Sequence, residues 1–449
     1  MNLYSKLRKK YPAFSYNNFE ITEDGENCII TYNFEIENLC SFHPVWTFKK
    51  GTSSLIDDAA FKKLVFNLGM VELVSYWKLT CSPNVKIKCG YLDNNQIDWW
   101  KKLYYNGLGE CFYTNNIEDN INDFMAITSL SEETFDYPVK INNSKCLIPI
   151  GGGKDSVVTL GILEKNRDNN FCYIINPRGA TSDTVKKSGY GEKTIIALRT
   201  LDPEMLRLNK EGFINGHTPF SALVAFSSLI ACYINKIKYI ALSNESSANE
   251  SSVMGSYVNH QYSKSFEFER DFFDYEQNYI KSGIYYFSLL RPLSEYQIAK
   301  EFSKRTAFYK IFKSCNVGSK RDIWCGECSK CLFVFIILSP FISPEKLSEI
   351  FDGNLFEKNH LLEIFKKLIG IIPEKPFECV GSRDEINFAL CEAIKKYEVL
   401  PPLLKYYIST PLYKKYSNSN NPYNNFYDKT NLIPAKFEKL LKESINRGI

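Results

Sequence analysis

Two groups of residues in this chain have types and spacings that do chemistry. The first is Gly151-Gly152-Gly153-Lys154-Asp155-Ser156, set between the apolar run CLIPI and the segment DSVVTLGILEKN, whose apolar residues recur at helical spacing. Glycines there let backbone N–H groups converge on an anion with no Cβ in the way, and the start of the following helix adds positive partial charge. A phosphate cradle is therefore predicted. Lys154 would add a point charge, Ser156 a hydroxyl, and Asp155 a helix cap or a magnesium contact. The spacing is neither G-x-G-x-x-G nor G-x-x-x-x-G-K-[ST], so the dinucleotide and Walker readings fail. The bland rival is a glycine-rich turn without a ligand.

The second group is Cys315-x9-Cys325-x2-Cys328-x2-Cys331. Four soft thiolates so close in sequence suit tetrahedral zinc with no position left open, which makes the zinc structural. It would pin the loop that precedes the apolar helix Leu332–Leu338. The C-x2-C-x2-C run also suits iron–sulfur ligation, and four unliganded thiols are the remaining alternative.

Between these groups lie three stretches rich in donors and acceptors: Asn215-Gly216-His217-Thr218, Ser243-Asn244-Glu245-Ser246-Ser247, and Asn259-His260-Gln261-Tyr262-Ser263-Lys264. The chain has only 4 histidines, and histidine titrates near neutrality, so His217 and His260 are the first acid–base candidates. Lys264 serves as a base if its pKa is lowered, or as a partner for phosphate or carboxylate. Glu245 is a candidate for magnesium or for a nucleotide contact. Cys379, in FECVG, is a further acid–base candidate, weighed against a buried structural thiol.

The elements that must position these residues follow from the pattern. From Lys145 onward, strands (CLIPI, FCYIINP, TIIALRTL, KYIALSNE, YYFSLLRPL) alternate with helices (DSVVTLGILEKN, FSALVAFSSLIACYINKI, SEYQIAKEFSK). That alternation predicts an α/β fold with a doubly wound parallel sheet and ligands at the carboxyl ends of its strands. Residues 1–140 mix β-like pieces such as NCIITYNFEIEN with amphipathic helices and predict an α+β domain, in which Trp99 and Trp100 belong to the core. Residues 141–345 form the doubly wound unit with the cysteine site, and 346–449 a helical region, with Tyr416–Asn431 as a surface loop.

Composition narrows the class. At 449 residues the chain is long enough for two or three domains. Its 55 Lys and Arg against 51 Asp and Glu leave a net charge of +4, too balanced for a dominant nucleic-acid surface. No apolar run follows the basic N-terminus, and CLFVFIILSPF is far short of the roughly 20 residues of a membrane span. The scattered cysteines suit a reducing compartment, so a cytoplasmic protein is expected.

Gly152, Gly153, Lys154, Asp155 and Ser156 resemble the pyrophosphate loop S-G-G-x-D-S of the ATP-pyrophosphatase (PP-loop) superfamily, with Gly151 in place of the serine. The cysteine arrangement, with Trp324 and Gly326, looks like the zinc site of the nitrile synthases of the queuosine pathway, which share that loop. Taken with FNLGMVELVSYWK, NGHTPFSA, SNESSA, VNHQYSKSFEFE, WCGECSKCLFVF and FECVG, the chain resembles the MurL-type UDP-N-acetylmuramoyl-L-alanyl-L-glutamate epimerases of peptidoglycan synthesis. GECFY departs from the corresponding text of that family.

The resemblance implies an isomerase that uses ATP and magnesium to adenylate the α-carboxylate of the terminal L-glutamate. The adenylate removes the negative charge beside the α carbon, so the enolate can form. Proton removal from one face and return to the other inverts the centre, and water releases AMP. The products would be the D-glutamate epimer, AMP and pyrophosphate. Two alternatives stand beside this. One is another PP-loop adenylating enzyme that amidates, thiolates or makes a nitrile, on RNA among other acceptors. The other is a zinc-stabilised nucleotide-binding or interaction protein without catalysis.

Overall fold

The computed structural model describes residues 2–135, 141 and 143–446. The expected boundary at residue 140 lies outside the described residues. The strands, in chain order, are β1 (Ala13–Asp24), β2 (Asn27–Ile36), β3 (Cys40–Phe42), β4 (Val45–Lys49), β5 (Asn84–Ile87), β6 (Ala126–Ser129), β7 (Cys146–Pro149), β8 (Asn170–Ile175), β9 (Thr194–Thr200), β10 (Tyr239–Leu242) and β11 (Tyr285–Ser288). They form one mixed sheet in the order β11-β10-β7-β8-β9-β4-β2-β1-β5-β6, with β3 on β2.

From β11 to β9 every pairing is parallel. The first strand of this half, β7, lies in its middle, with β8 and β9 to one side and β10 and β11 to the other. The direction of winding therefore reverses between β7 and β10, and a crevice opens there at the carboxyl ends of the strands. Around β7 side chains alternate onto two buried faces, whereas Ile196 and Leu198 on one face of β9 are exposed. Leu147 of β7 packs with Phe226 and Leu229 of the helix Phe220–Asn235. Its neighbours Cys146 and Ile148 pack on the opposite face with Val157, Ile298 and Leu332, from the helices Lys154–Ile162, Glu295–Ser303 and Ser329–Leu338.

The N-terminal strands do not form a separate sheet. β4 pairs antiparallel with β9, and the helix Ala59–Trp77 sends Glu72 under the junction, where it binds Arg199 of β9 and the indole N–H of Trp46. Trp100 is buried and donates to the Tyr275 hydroxyl, while Trp99 donates to the Asp271 carbonyl. The helix Asn94–Gly107 ends at the Asn106-Gly107 pair.

Ser294 caps Glu295–Ser303 in a reciprocal capping box with Gln297, the N-terminus read from SEYQ. Past residue 343 the chain is helical, including Pro344–Phe351, Leu362–Ile369, Arg383–Ile394 and Ala435–Asn446. The Asn-rich stretch after Tyr416 is irregular but is not a free surface loop. Phe426 accepts at its carbonyl from Gln297, Asp428 donates to the carbonyl of Pro292, and Tyr423 packs on Phe388. Aromatic residues interleaved with the asparagines anchor it. Among the described residues no helix is long and apolar enough to cross a membrane.

Candidate active site at the sheet switch point

The glycine loop follows β7 directly, and Gly153 is the N-cap of the helix Lys154–Ile162. Gly152 has φ +79°, and a Cβ on it would lie 3.0 Å from the Ala180 Cβ and 3.1 Å from the Ala180 carbonyl carbon. Only glycine fits that backbone. Position 151 is different: a Cβ there would meet nothing nearer than the Ser156 Oγ at 4.0 Å, so a serine would be accommodated. In this chain the Gly151 N–H donates to that same Ser156 hydroxyl at 3.1 Å. The Lys313 N–H closes the loop from outside on the Gly152 carbonyl.

Lys154 points away from the cradle. Its ammonium is buried and bound to Asp155 and to Glu295 at the head of the adjacent helix Glu295–Ser303. Burial would raise the Asp155 carboxyl, but Lys154 and Lys330 hold it below its ordinary range. Burial raises Glu295, despite Lys154, to about 7.

The loop after β10 supplies the facing wall. Ser243 bonds Thr159, Asn244 donates to Ser288, and Glu245 starts a short 3-10 turn. One buried guanidinium organises this wall. Arg291 donates to the Glu245 carbonyl, to the Lys264 carbonyl at 2.6 Å, and to the Glu269 carboxylate at 2.8 and 3.0 Å. Glu269 in turn accepts from the Ser288 N–H.

A cavity of about 430 Å³ opens between these walls. Gly151, Gly153, Asp155, Ser156, Glu245 and Lys264 line it, so the sequence-predicted loop and two of the predicted polar groups share one space. Arg178, Lys313 and Lys330 also face it, giving a cation-rich wall suited to anionic ligands. A second cavity of about 690 Å³ adjoins through Gly151, Arg178, Thr181 and Phe220.

His217 and His260 do not line the first cavity, but they stand together, with ring centroids 4.2 Å apart. His260 is hydrogen-bonded through Nδ1 to Glu110, and His217 Nδ1 lies 4.0 Å from the same carboxylate. Burial, reinforced by His260, Lys78 and Lys264, lowers His217 to about 3, so it is neutral near pH 7. Burial alone would lower His260 too, but bonds to Cys379 and Glu110 raise it to about 9. Lys264 reaches the same thiol, with its Nζ 3.0 Å from the Cys379 Sγ.

Glu110 has no motif around it that announces a role. Its only sequence signal is an acid in the first turn of the short helix Gly109–Thr114.

The four clustered cysteines come together as their spacing predicts. Sγ–Sγ separations are 3.8 Å for Cys315–Cys328, 3.7 Å for Cys325–Cys331 and 3.5 Å for Cys328–Cys331. Zn–S bonds of about 2.3 Å place tetrahedral sulfurs roughly 3.8 Å apart, so the donor set fits a single zinc ion. A multi-iron cluster would spread the sulfurs further. The loop between Cys315 and Cys325 also sends Asp322 to the N-terminus of the helix Gly179–Lys187, where it accepts from Ala180 N–H. Cys315 itself lines the cavity.

Comparison with known proteins accords with this geometry. The family model for the MurL N-terminal domain matches residues 5–289, and that for the MurL C-terminal domain matches residues 311–400. A protein of Xanthomonas oryzae pv. oryzae named UDP-N-acetyl-alpha-D-muramoyl-L-alanyl-L-glutamate epimerase is 32% identical over 339 residues, covering 74% of each chain. Equally named proteins of Salinispora tropica and a Micromonospora species are 31% and 32% identical, covering 72% of this chain and 71% and 73% of their own. No solved structure matches the chain significantly. A glycine cradle, a cation-lined crevice and a four-cysteine clamp are thus built on a sequence matched across both of its parts, and the chain belongs to the MurL family.

Proposed function

We propose that the chain is a PP-loop, ATP-dependent epimerase of the terminal L-glutamate of UDP-N-acetylmuramoyl-L-alanyl-L-glutamate, forming the D-glutamate epimer, AMP and pyrophosphate. The observation that carries this reading is the single crevice at the β7–β10 switch point, which Gly151, Gly153, Ser156, Asp155, Glu245 and Lys264 all face. The epimerase names of the relatives supply the reaction class.

The adjoining cavities suit a reaction that brings together two large anionic substrates, since ligand sites commonly occupy about 300–1,000 Å³. The cradle amides and Ser156 would bind the β- and γ-phosphates, and Lys313 and Arg178 would neutralise their charge. Asp155 and Glu245 would hold magnesium, which supplies charge neutralisation at the phosphates. The carboxylate of the glutamate attacks the α-phosphate, pyrophosphate leaves, and the mixed anhydride acidifies the neighbouring C–H. Inversion then falls to the wall that carries Glu245 and Lys264, with His217 and His260 beyond it. The four-cysteine zinc is structural, clamping the Lys313–Asp322 cover of the cradle.

The test is direct. Purified protein with ATP, magnesium and the L,L nucleotide-dipeptide should yield D-glutamate on chiral analysis, with AMP and pyrophosphate in equal amounts. ADP and phosphate, or unchanged glutamate, would refute the reading. Gly152→Ala should raise the KM for ATP about tenfold or more in steady-state assays. A left-handed alanine costs about 1–2 kcal/mol, and the contact of its Cβ with the Ala180 backbone adds to that, so its melting temperature should fall as well.

A further inference from the structure

One reactive group stands at the meeting point of the site and has no part in the mechanism so far. Cys379 lines the cavity together with Asp155, Glu245 and Gly153. Its sulfur lies 3.0 Å from the Lys264 ammonium, and His260 adds to the positive charge that favours its anion. The His260 ring is held through Nδ1 by Glu110, and neither of these two groups lines the cavity.

The loop that carries Cys379 is pinned. Lys330 donates to the Cys379 carbonyl, Gln261 to that of Val380 at 3.1 Å, and buried Lys375 to that of Gly381 at 3.1 Å. Arg383 holds the Pro373 carbonyl at 2.7 Å. Such a setting is foreign to a packing thiol, which sits among apolar groups.

We propose that Cys379 is a catalytic residue of the inversion, moving the α proton on one face of the glutamyl carbon, with Lys264 beside it and His260 and Glu110 away from the cavity as positioning residues. This rests on the epimerase reading above. In the step, the sulfur anion takes the α proton: the C–H bond breaks, an S–H bond forms, and the electron pair passes into the enolate of the activated carboxyl. A proton from water on the opposite face closes the new C–H bond, and the thiol proton returns to solvent. In the reverse direction the thiol is the donor. His260 and Glu110 thus work through the sulfur, although His260 itself does not line the cavity.

Charge supports the assignment. Burial would raise the thiol, but Lys264, His260 and Lys330 bring Cys379 well below the ordinary range. By contrast, burial pushes Cys28 and Cys146 up to about 12 and Cys111 up to about 11. A lowered thiol beside a cation is the environment of a reactive cysteine.

The experiment separates two partial reactions of the metal-loaded protein. Substrate-dependent exchange of labelled pyrophosphate into ATP reports carboxylate activation. Deuterium wash-in at the α carbon in D₂O, with product configuration, reports inversion. Cys379→Ala and Cys379→Ser should lose at least 100-fold in wash-in and epimer formation while pyrophosphate exchange falls less than tenfold. Wash-in within tenfold of the unsubstituted rate, parallel loss of both reactions, or capture of a glutamyl thioester on Cys379 would each overturn the proposal.

Alkylation provides a measurement on the unsubstituted fold. Iodoacetamide should label Cys379 first, as mapped by mass spectrometry, and His260→Gln should slow that labelling about tenfold at fixed pH. Labelling no faster than that of Cys28 or Cys146 would count against it. If the unsubstituted protein neither exchanges pyrophosphate nor epimerises, the functional reading fails and the proposal with it.

Discussion

Replacing Arg291 by methionine is expected to destabilise the protein by about 3–5 kcal/mol, the usual effect of removing one partner from a buried ion pair. Arg291 and Glu269 are both fully buried, so the carboxylate left behind could not recover its hydration. Two backbone carbonyls, those of Glu245 and Lys264, would lose their donor at the same time. Both residues face the crevice, and a displacement near 1 Å at a reacting centre can lower turnover about 100-fold. A double variant separates the two effects. Arg291→Met with Glu269→Leu should recover much of the denaturation free energy, because the orphaned charge is gone. It should not recover turnover, because the carbonyls remain unheld. Urea denaturation and steady-state rates check both parts; full recovery of activity in the double variant would show that Arg291 does not organise the site.

Depriving the proposed four-cysteine zinc site of its metal should have the second large effect. Structural zinc is bound with apparent free energies of about 10–16 kcal/mol in zinc-finger peptides. Here the clamp holds the segment that covers the cradle: the Lys313 N–H on Gly152, Ser314 against Gly153, and Asp322 on Ala180. Elemental analysis should find one zinc per chain. Its release by a chelator, or Cys328→Ser, should abolish ATP-dependent turnover and expose the Gly152–Gly153 segment to proteolysis. Readdition of zinc should restore the chelated protein and not the variant. A metal-free protein with unchanged turnover would refute a structural role for the cluster.

Much of the architecture was legible in the sequence. CLIPI, FCYIINP and TIIALRTL become β7, β8 and β9, since short apolar runs bounded by turn residues are the pattern of strands in a covered sheet. The loop between β7 and its helix was equally visible, because three glycines at a strand–helix junction leave a local mark. Long-range pairing was not. The β4–β9 ladder that joins the N-terminal strands to the parallel half depends on segments about 150 residues apart, and neither segment announces its partner.

The site divides in the same way. The sequence by itself determined the residue types and the local conformations: the glycine cradle, the thiolate quartet, and polar loops after β10 and before the helix Phe220–Asn235. Backbone sterics and short-range spacing suffice for these. Only the tertiary structure decided which groups meet. It turned Lys154 down onto Glu295 and made Arg291 the clasp of two loops. It also brought Glu110, His260, Lys264 and Cys379 together, although Cys379 is 115 residues from Lys264 and Glu110 is 150 from His260. The reason is physical: packing and burial place such groups beside one another, and a single position in a sequence carries no record of what will be packed against it.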